Sequence, residues 1–260
     1  ILIAFQLAKK VIKNIVKKVR RIQDSKKKKF GLKDTPETTK KSSLATLIEN
    51  TIASPLALRF VYHATKPLIR KKIWLISDRL SAADDNGEVF YKYVLSQPQE
   101  DRSIYFMIDK NTEDYQRLKN HGKVVSFFSF KHKLLFLHAS KVISSEATQY
   151  VVNPFFNRSK YFRDLLDFDF VFLQHGIIRD DISGWLQKYN QNIRLFITTS
   201  KPERNSILKG NYHYTDREVK LTGLARYDNL HNNPKRKLII MPTWRTTLAM
   251  HPIDGTDKRP

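Results

Sequence analysis

Cysteine is absent from the 260 residues. That excludes disulfides, zinc–thiolate centres and thiol catalysis, and it suits a cytosolic protein. Long apolar runs are absent too. The opening ILIAFQLA holds about a third of the ~20 apolar residues that a membrane-crossing helix needs. Its positive charges follow the apolar run, whereas a signal peptide carries them ahead of it. Acids are scarce: 25 against 47 lysines and arginines, a formal charge of +22. That imbalance calls for an acidic partner, be it nucleic acid, an anionic membrane or a polyanionic substrate. Nucleic acid is the weakest of the three, because there is no RNP-type aromatic motif, no zinc spacing and no clear helix-turn-helix. No carboxylate cluster has the look of a metal site, there is no internal repeat, and a lysine run is the one low-complexity tract. What is present is enough apolar material for a core, 41% hydrophobic and 12% aromatic, in a length that suits one large domain or two small ones. The first residue is Ile1 and not methionine, so the chain is expected to be a piece of a longer product.

The positive charge is uneven. Between residues 9 and 29 stand Lys9, Lys10, Lys13, Lys17, Lys18, Arg20, Arg21 and Lys26–Lys29, with Asp24 as the one acid. Val11, Ile12, Ile15, Val16, Val19 and Ile22 recur at helical spacing, which predicts a basic amphipathic helix. Residues 30–43 read as a linker. A second helical stretch follows from residue 44, broken or kinked at Pro55 and Pro67 and ending in Arg70, Lys71 and Lys72. Residues 1–72 thus form a basic helical leader, expected to meet an anionic membrane surface.

From residue 73 short apolar runs alternate with helical patterns. IWLIS, SIYFMI, KVVSF, KVISS, DFVFLQ, LFITTS, EVKLTG and KLIIMP read as strands. Asp84 or Asp85 caps the helix NGEVFYKYVLSQ, and Gly122 stops TEDYQRLKN. Strand–helix alternation with uniformly apolar strands predicts an α/β fold built on a parallel sheet covered on both faces.

Ligands of open parallel sheets bind beyond the carboxyl ends of the strands. Those ends carry Ser77, Asp78 and Arg79; His175 and Gly176; Thr199 and Ser200; Gly223, Arg226 and Asp228; and Thr243, Trp244 and Arg245. Such residues also cap helices and fill turns, and Gly223 and Trp244 suit a turn and a packing role. His175 stands apart. It follows the buried run FDFVFLQ directly, and Gly176 leaves its approach open.

Three of these stretches, LQHGIIRDDIS, LTGLARYDNL and IIMPTWR, resemble in order and spacing the CDP-glycerol glycerophosphotransferase family, which builds poly(glycerol phosphate) teichoic acids and related capsule polymers. ADDNGEVFYKY (83–93) and ISSEATQYVVNPF (143–155) resemble two further segments of that family, so the likeness covers about residues 73–245. It implies a GT-B fold, with residues 73–231 as the Rossmann-like acceptor domain, 232–234 as the link and 235–260 as the start of a truncated donor domain. It implies a CDP-alditol donor, a lipid-linked polyol-phosphate acceptor and no cofactor or metal, at the cytoplasmic face of a bacterial membrane. It makes His175 the general base, with Asp180 or Asp181 to orient it. A neutral imidazole suits that task near neutral pH. Thr243, Arg245 and then Arg226 become candidates for the diphosphate. Gly176, Asp180, Ser77, Asp78, Asn86 and Asp228 become candidates for substrate contact. A ribitol phosphate transferase of the same family and a non-catalytic membrane-bound fragment stay open as alternatives, as does an oligomer.

Overall fold

A strand that is apolar on both sides must be covered on both sides. The computed structural model, which describes residues 55–232 together with 238 and 240, builds such strands into one sheet. They are β1 (Lys72–Ser77), β2 (Arg102–Met107), β3 (Val124–Val125), β4 (Ala139–Ser144), β5 (Asp169–Phe172), β6 (Ile193–Thr198) and β7 (Val219–Leu221). All seven are parallel, in the order β3-β2-β1-β4-β5-β6-β7, consistent with a Rossmann-like fold. The helices are α1 (Pro55–Thr65), α2 (Asn86–Ser96), α3 (Glu113–Lys119), α4 (Phe130–Leu137), α5 (Gln149–Val152), α6 (Ser183–Leu186), α7 (Lys188–Gln191) and α8 (Lys201–Lys209). Described residues up to Asp228 belong to one compact unit, and those from Asn229 onward belong to a second. The basic helix expected at 9–29, the linker at 30–43 and the stretch with Thr243 and Arg245 lie outside the described residues.

Period-2 alternation sorts the strand residues between the two faces. Ile76, Ile104, Phe106 and Ile143 meet Tyr91 and Val94 of α2 and Leu118 of α3. Leu75, Tyr105, Met107, Val142 and Phe172 belong to the opposite core, with Leu58 and Val61 of α1 and Phe136 of α4. α1 is held by more than apolar contact. Thr65 Oγ1 lies 2.9 Å from His138 Nε2, and the Tyr62 ring stacks on the His138 ring at 4.5 Å. Burial, with Lys66 nearby, pushes the His138 imidazole down to about 4, so it stays neutral at physiological pH. Pro55 heads α1, where its missing N–H costs nothing, and Pro67 sits in the 3-10 turn that follows.

The edge strands are shorter than their apolar runs. β3 pairs with β2 through only Val124 and Val125, before the chain turns away at Phe128, whose φ is +58°. β7 stops at Leu221, and Gly223 follows at φ +82°. A strand with one neighbour has half the ladder of a central strand to extend it.

Helix starts follow their polar caps. Asp85, Thr112, Ser129 and Ser200 each accept a hydrogen bond from a first-turn N–H of α2, α3, α4 and α8. Asp85 takes the cap of α2, and Asp84 occupies a left-handed conformation with φ +71°. At α2 the cap is pressed so tightly against β1 that a side chain does not fit. A Cβ on Gly87 would collide with the Ser77 carbonyl oxygen and Asp78 Oδ1. Gly87→Ala is therefore expected to lower stability by about 1–3 kcal/mol in urea unfolding. An unchanged midpoint would contradict this close approach.

Candidate active site at the carboxyl ends of the strands

Because every strand runs the same way, all carboxyl ends share one rim. Register places Ser77 beside Ser144, Ser144 beside Phe172, and Thr198 beside Leu221. From β1 the sheet grows one way through β2, and from β4 it grows the other way through β5. The loops after β1 and β4 part at this switch point, where open α/β sheets form their binding crevice. Ser77 Oγ donates to Ser144 Oγ at 3.1 Å, and Ser145 N–H donates to the Ser77 carbonyl at 3.2 Å, tying the two tips together.

Asp78 has no exposed surface. Its Oδ1 accepts from Gly87 N–H at 2.7 Å, and its Oδ2 accepts from Glu88 N–H at 2.9 Å and Asp85 N–H at 3.2 Å. The carboxylate thus fills the N-terminus of α2, where N–H groups have no helical partner and the dipole favours negative charge. Burial pushes its pKa up to about 6, against the opposing pull of Ser145 and the Glu88 and Gly87 N–H groups.

Asn86 is also fully buried. Its Nδ2 donates to the Gln174 carbonyl at 2.5 Å, and its Oδ1 accepts from Arg226 N–H at 3.0 Å. Arg226 Nη1 adds an ion pair to Asp85 Oδ1 at 2.8 Å. One side chain therefore joins the loops after β1, β5 and β7. Gln174 takes φ +65°, uncommon for a residue other than glycine, and its own Oε1 accepts from His175 N–H at 3.2 Å. The turn brings His175 out to the rim, where it is exposed. Its Nδ1 lies 3.2 Å from the Ser145 carbonyl oxygen. A carbonyl only accepts, so this bond puts the proton on Nδ1 and leaves the lone pair on Nε2. Around Gly176 nothing lies within 4 Å of where a Cβ would stand, so the approach beside His175 is open.

The loop after His175 is fastened from beneath by Glu203. Its Oε1 accepts from Ile178 N–H at 2.8 Å, and its Oε2 accepts from Thr199 N–H and Oγ1, both at 2.7 Å. Asp181 caps the next turn by accepting from Ser183 N–H at 2.9 Å, which holds its carboxyl below the usual range. Asp180 is exposed on the same loop. The partner of the His175 ring is thus the Ser145 backbone rather than Asp180 or Asp181.

Of the residues singled out in the sequence, Ser77, Asp78, Asn86, His175 and Arg226 come together around this junction. Ser77, Asp78 and Asn86 are inside it, with polar atoms taken up by the chain's own groups, whereas His175, Gly176 and Asp180 face the rim. Asp228 is exposed beyond Arg226. Residues not singled out are Ser145, Gln174, Glu203 and, as more than a cap, Asp85. The serine pair ending KVISS and the Ser-x-x-Glu spacing at 200–203 were the available signals. Among the described residues no three histidine, aspartate or glutamate side chains gather as a metal site.

The comparisons with known proteins agree with one another. The family described as CDP-glycerol:poly(glycerophosphate) glycerophosphotransferase matches residues 58–254. The minor teichoic acid biosynthesis protein GgaB of Bacillus subtilis (strain 168) is 46% identical over 213 residues, which is 82% of this chain and 24% of that protein. The chain therefore spans about a quarter of the length of the curated relative it matches.

Asp78 gives the site a pH signature. Its folded pKa of about 6 lies above the ordinary 3.8, so as pH falls the folded protein takes up this proton before the unfolded chain does. The stability it contributes grows as pH drops from about 6 to about 4, and is lost as pH rises back through 6. The gap in unfolding free energy between the wild type and Asp78→Asn is expected to be larger at the acid end of that window, by an amount on the order of 2 kcal/mol. Urea titrations at both ends measure it, and equal gaps would refute the raised carboxyl.

Proposed function

Because the chain belongs to the CDP-glycerol:poly(glycerophosphate) glycerophosphotransferase family, we propose that the unit holding His175 is the acceptor side of a transferase. It moves glycerol phosphate from CDP-glycerol to the terminal hydroxyl of a lipid-linked polyol-phosphate acceptor in teichoic acid or capsule synthesis. In this reading a second Rossmann-like domain, beginning near residue 235, completes a GT-B enzyme and holds the donor. Thr243 and Arg245 contact the donor diphosphate there. The nucleotide is a substrate, and no cofactor is invoked.

One observation carries the reading: His175 stands exposed at the carboxyl-end rim of the sheet with Nδ1 turned to the backbone carbonyl of Ser145. Nε2 takes the proton from the acceptor hydroxyl. The alkoxide oxygen bonds to the glycerol-bearing phosphorus of CDP-glycerol, the bond from that phosphorus to the bridging oxygen breaks, and CMP departs with the electron pair. Asp78, Ser77 and Asn86 act in this scheme as the frame beneath the base, because their polar atoms are committed inside the protein. Arg226 keeps its guanidinium partly exposed beside them, a placement suited to a phosphate of the acceptor.

The proposal extends to the membrane. The leader, residues 1–72, holds the enzyme at the anionic cytoplasmic surface where a lipid-linked acceptor lies. Its described end packs Leu58 and Val61 of α1 on the sheet and leaves Leu56, Phe60 and Leu68 exposed in the same stretch of sequence as the exposed Lys66, Arg70, Lys71 and Lys72. Among the described residues no helix is long and apolar enough to cross a membrane.

The test is CMP release by the full-length protein from CDP-glycerol with a polyol-phosphate acceptor. His175→Ala is expected to lower the rate by about 10²-fold or more. Its unfolding midpoint should hold, because the side chain is exposed. Near-normal turnover in the variant removes the base assignment. Turnover with CDP-ribitol alone changes the donor, and turnover with neither nucleotide removes the reading.

A further inference from the structure

The peptide unit between Gln174 and His175 is gripped at both ends. Its carbonyl oxygen accepts from Asn86 Nδ2 at 2.5 Å, and its N–H donates to Gln174 Oε1 at 3.2 Å. The residue before that peptide holds φ +65°, a left-handed conformation that a non-glycine residue keeps only when its surroundings impose it. The residue after it is His175, whose ring is hydrogen-bonded to the Ser145 carbonyl. The plane of this single peptide therefore decides where the imidazole leaves the backbone. Asn86 is 0% exposed and 88 residues from Gln174 in sequence, so it acts on His175 through the peptide and not by touching a substrate.

We propose that Asn86 is a positioning residue for His175, holding the 174–175 peptide in the orientation that presents Nε2 at the rim. This rests on the proposed role of His175 as base. Gln174 shares the task from the other end of the peptide. The Asn86 Oδ1 bond to Arg226 N–H is a separate function of the same side chain, anchoring the loop after β7.

Two substitutions separate these functions. Asn86→Asp keeps the size of the side chain and the acceptor for Arg226 N–H, but sets a carboxylate oxygen against the Gln174 carbonyl where a donor stood. Gln174→Met removes the acceptor for His175 N–H without touching the start of α2. In the full-length protein each is expected to lower kcat for CMP release by about 10²-fold, since a shift of about 1 Å in a catalytic group has that effect. KM is expected to stay within about threefold of the wild type, because neither side chain touches the substrate. A merely structural role would lower the amount of folded protein and leave kcat per folded molecule alone.

Imidazole nitrogen NMR of the histidine-labelled full-length protein supplies the second measurement. The His175 resonances of the wild type should report a proton on Nδ1, and those of Asn86→Asp should move toward a mixture of tautomers. Wild-type kcat in either folded variant overturns the proposal. So do His175 resonances that are the same in Asn86→Asp and the wild type. If the wild type itself releases no CMP, the assigned reaction fails, and the NMR comparison still decides whether Asn86 positions the ring. If Asn86→Asp does not fold, Gln174→Met decides through both measurements.

Discussion

One buried carboxylate organises this half of the molecule. Asp78 follows β1 directly and closes the N-terminus of α2 by receiving the N–H groups of Asp85, Gly87 and Glu88. An unpartnered carboxylate at that depth is costly, and three donors aligned with a helix dipole offset much of the cost. The arrangement demands that the helix start lie flush on the strand end, which a side chain at residue 87 would prevent. It also fixes the direction of Asn86, wedged between the cap and Gly87. From there Asn86 reaches the tip of β5 and the loop after β7. The position of His175 thus descends, bond by bond, from the closure of one helix.

A second buried acid at the same helix start behaves in the opposite way, and the contrast explains both. Burial works to raise Glu88 as it does Asp78. Glu88, however, meets the guanidinium of Arg117 with both oxygens and Lys92 Nζ at 2.6 Å, and these cations hold its carboxyl at about 2. Asp78 has only neutral backbone N–H groups for hydrogen-bond partners and settles near 6. Full positive charges outweigh desolvation here, and dipoles do not. Arg117 and Lys92 come to Glu88 as partly exposed side chains, while the neutral donors close on the fully buried Asp78. Two cations stand at that junction, each already paired to an acid: Arg226 to Asp85 and Arg79 to Glu146.

Much of the sheet was legible because parallel strands buried on both faces announce themselves as apolar runs. The central strands fall where IWLIS, SIYFMI, KVISS and LFITTS stand, and the errors gather at the edges, where KVVSF supplies two strand residues and EVKLTG three. Composition does not record how many neighbours a strand has. The placement of His175 at the rim was legible for a related reason, since a histidine shortly after a strand of known direction falls at the carboxyl end of the sheet. Its orienting partner was not. The sequence pointed to Asp180 or Asp181, acids close by in the chain, whereas the ring meets the carbonyl of Ser145 at the tip of the neighbouring strand β4. Every residue has a carbonyl, so a backbone partner leaves no trace in a sequence. Asn86 was singled out for substrate contact, and its bonds within the fold were hidden likewise, because both its partners are backbone atoms far along the chain.

The link between Asn86 and Arg226 spans 140 residues, most of the described part of this unit. A bond of that span closes a loop that no local structure can preassemble, and such closures come late in folding. The sheet grows outward from β1 in both directions, so β7 and the loop behind it join after the central strands have something to join to. A chain emerging from the ribosome can form β1, β2 and β4 and bury most of the core before Arg226 exists. The junction under His175 needs Arg226, at the C-terminal end of the unit, to reach Asn86 at the start of α2. Partly made chains are thereby folded in part yet lack a set imidazole, and the site comes into being together with the finished unit.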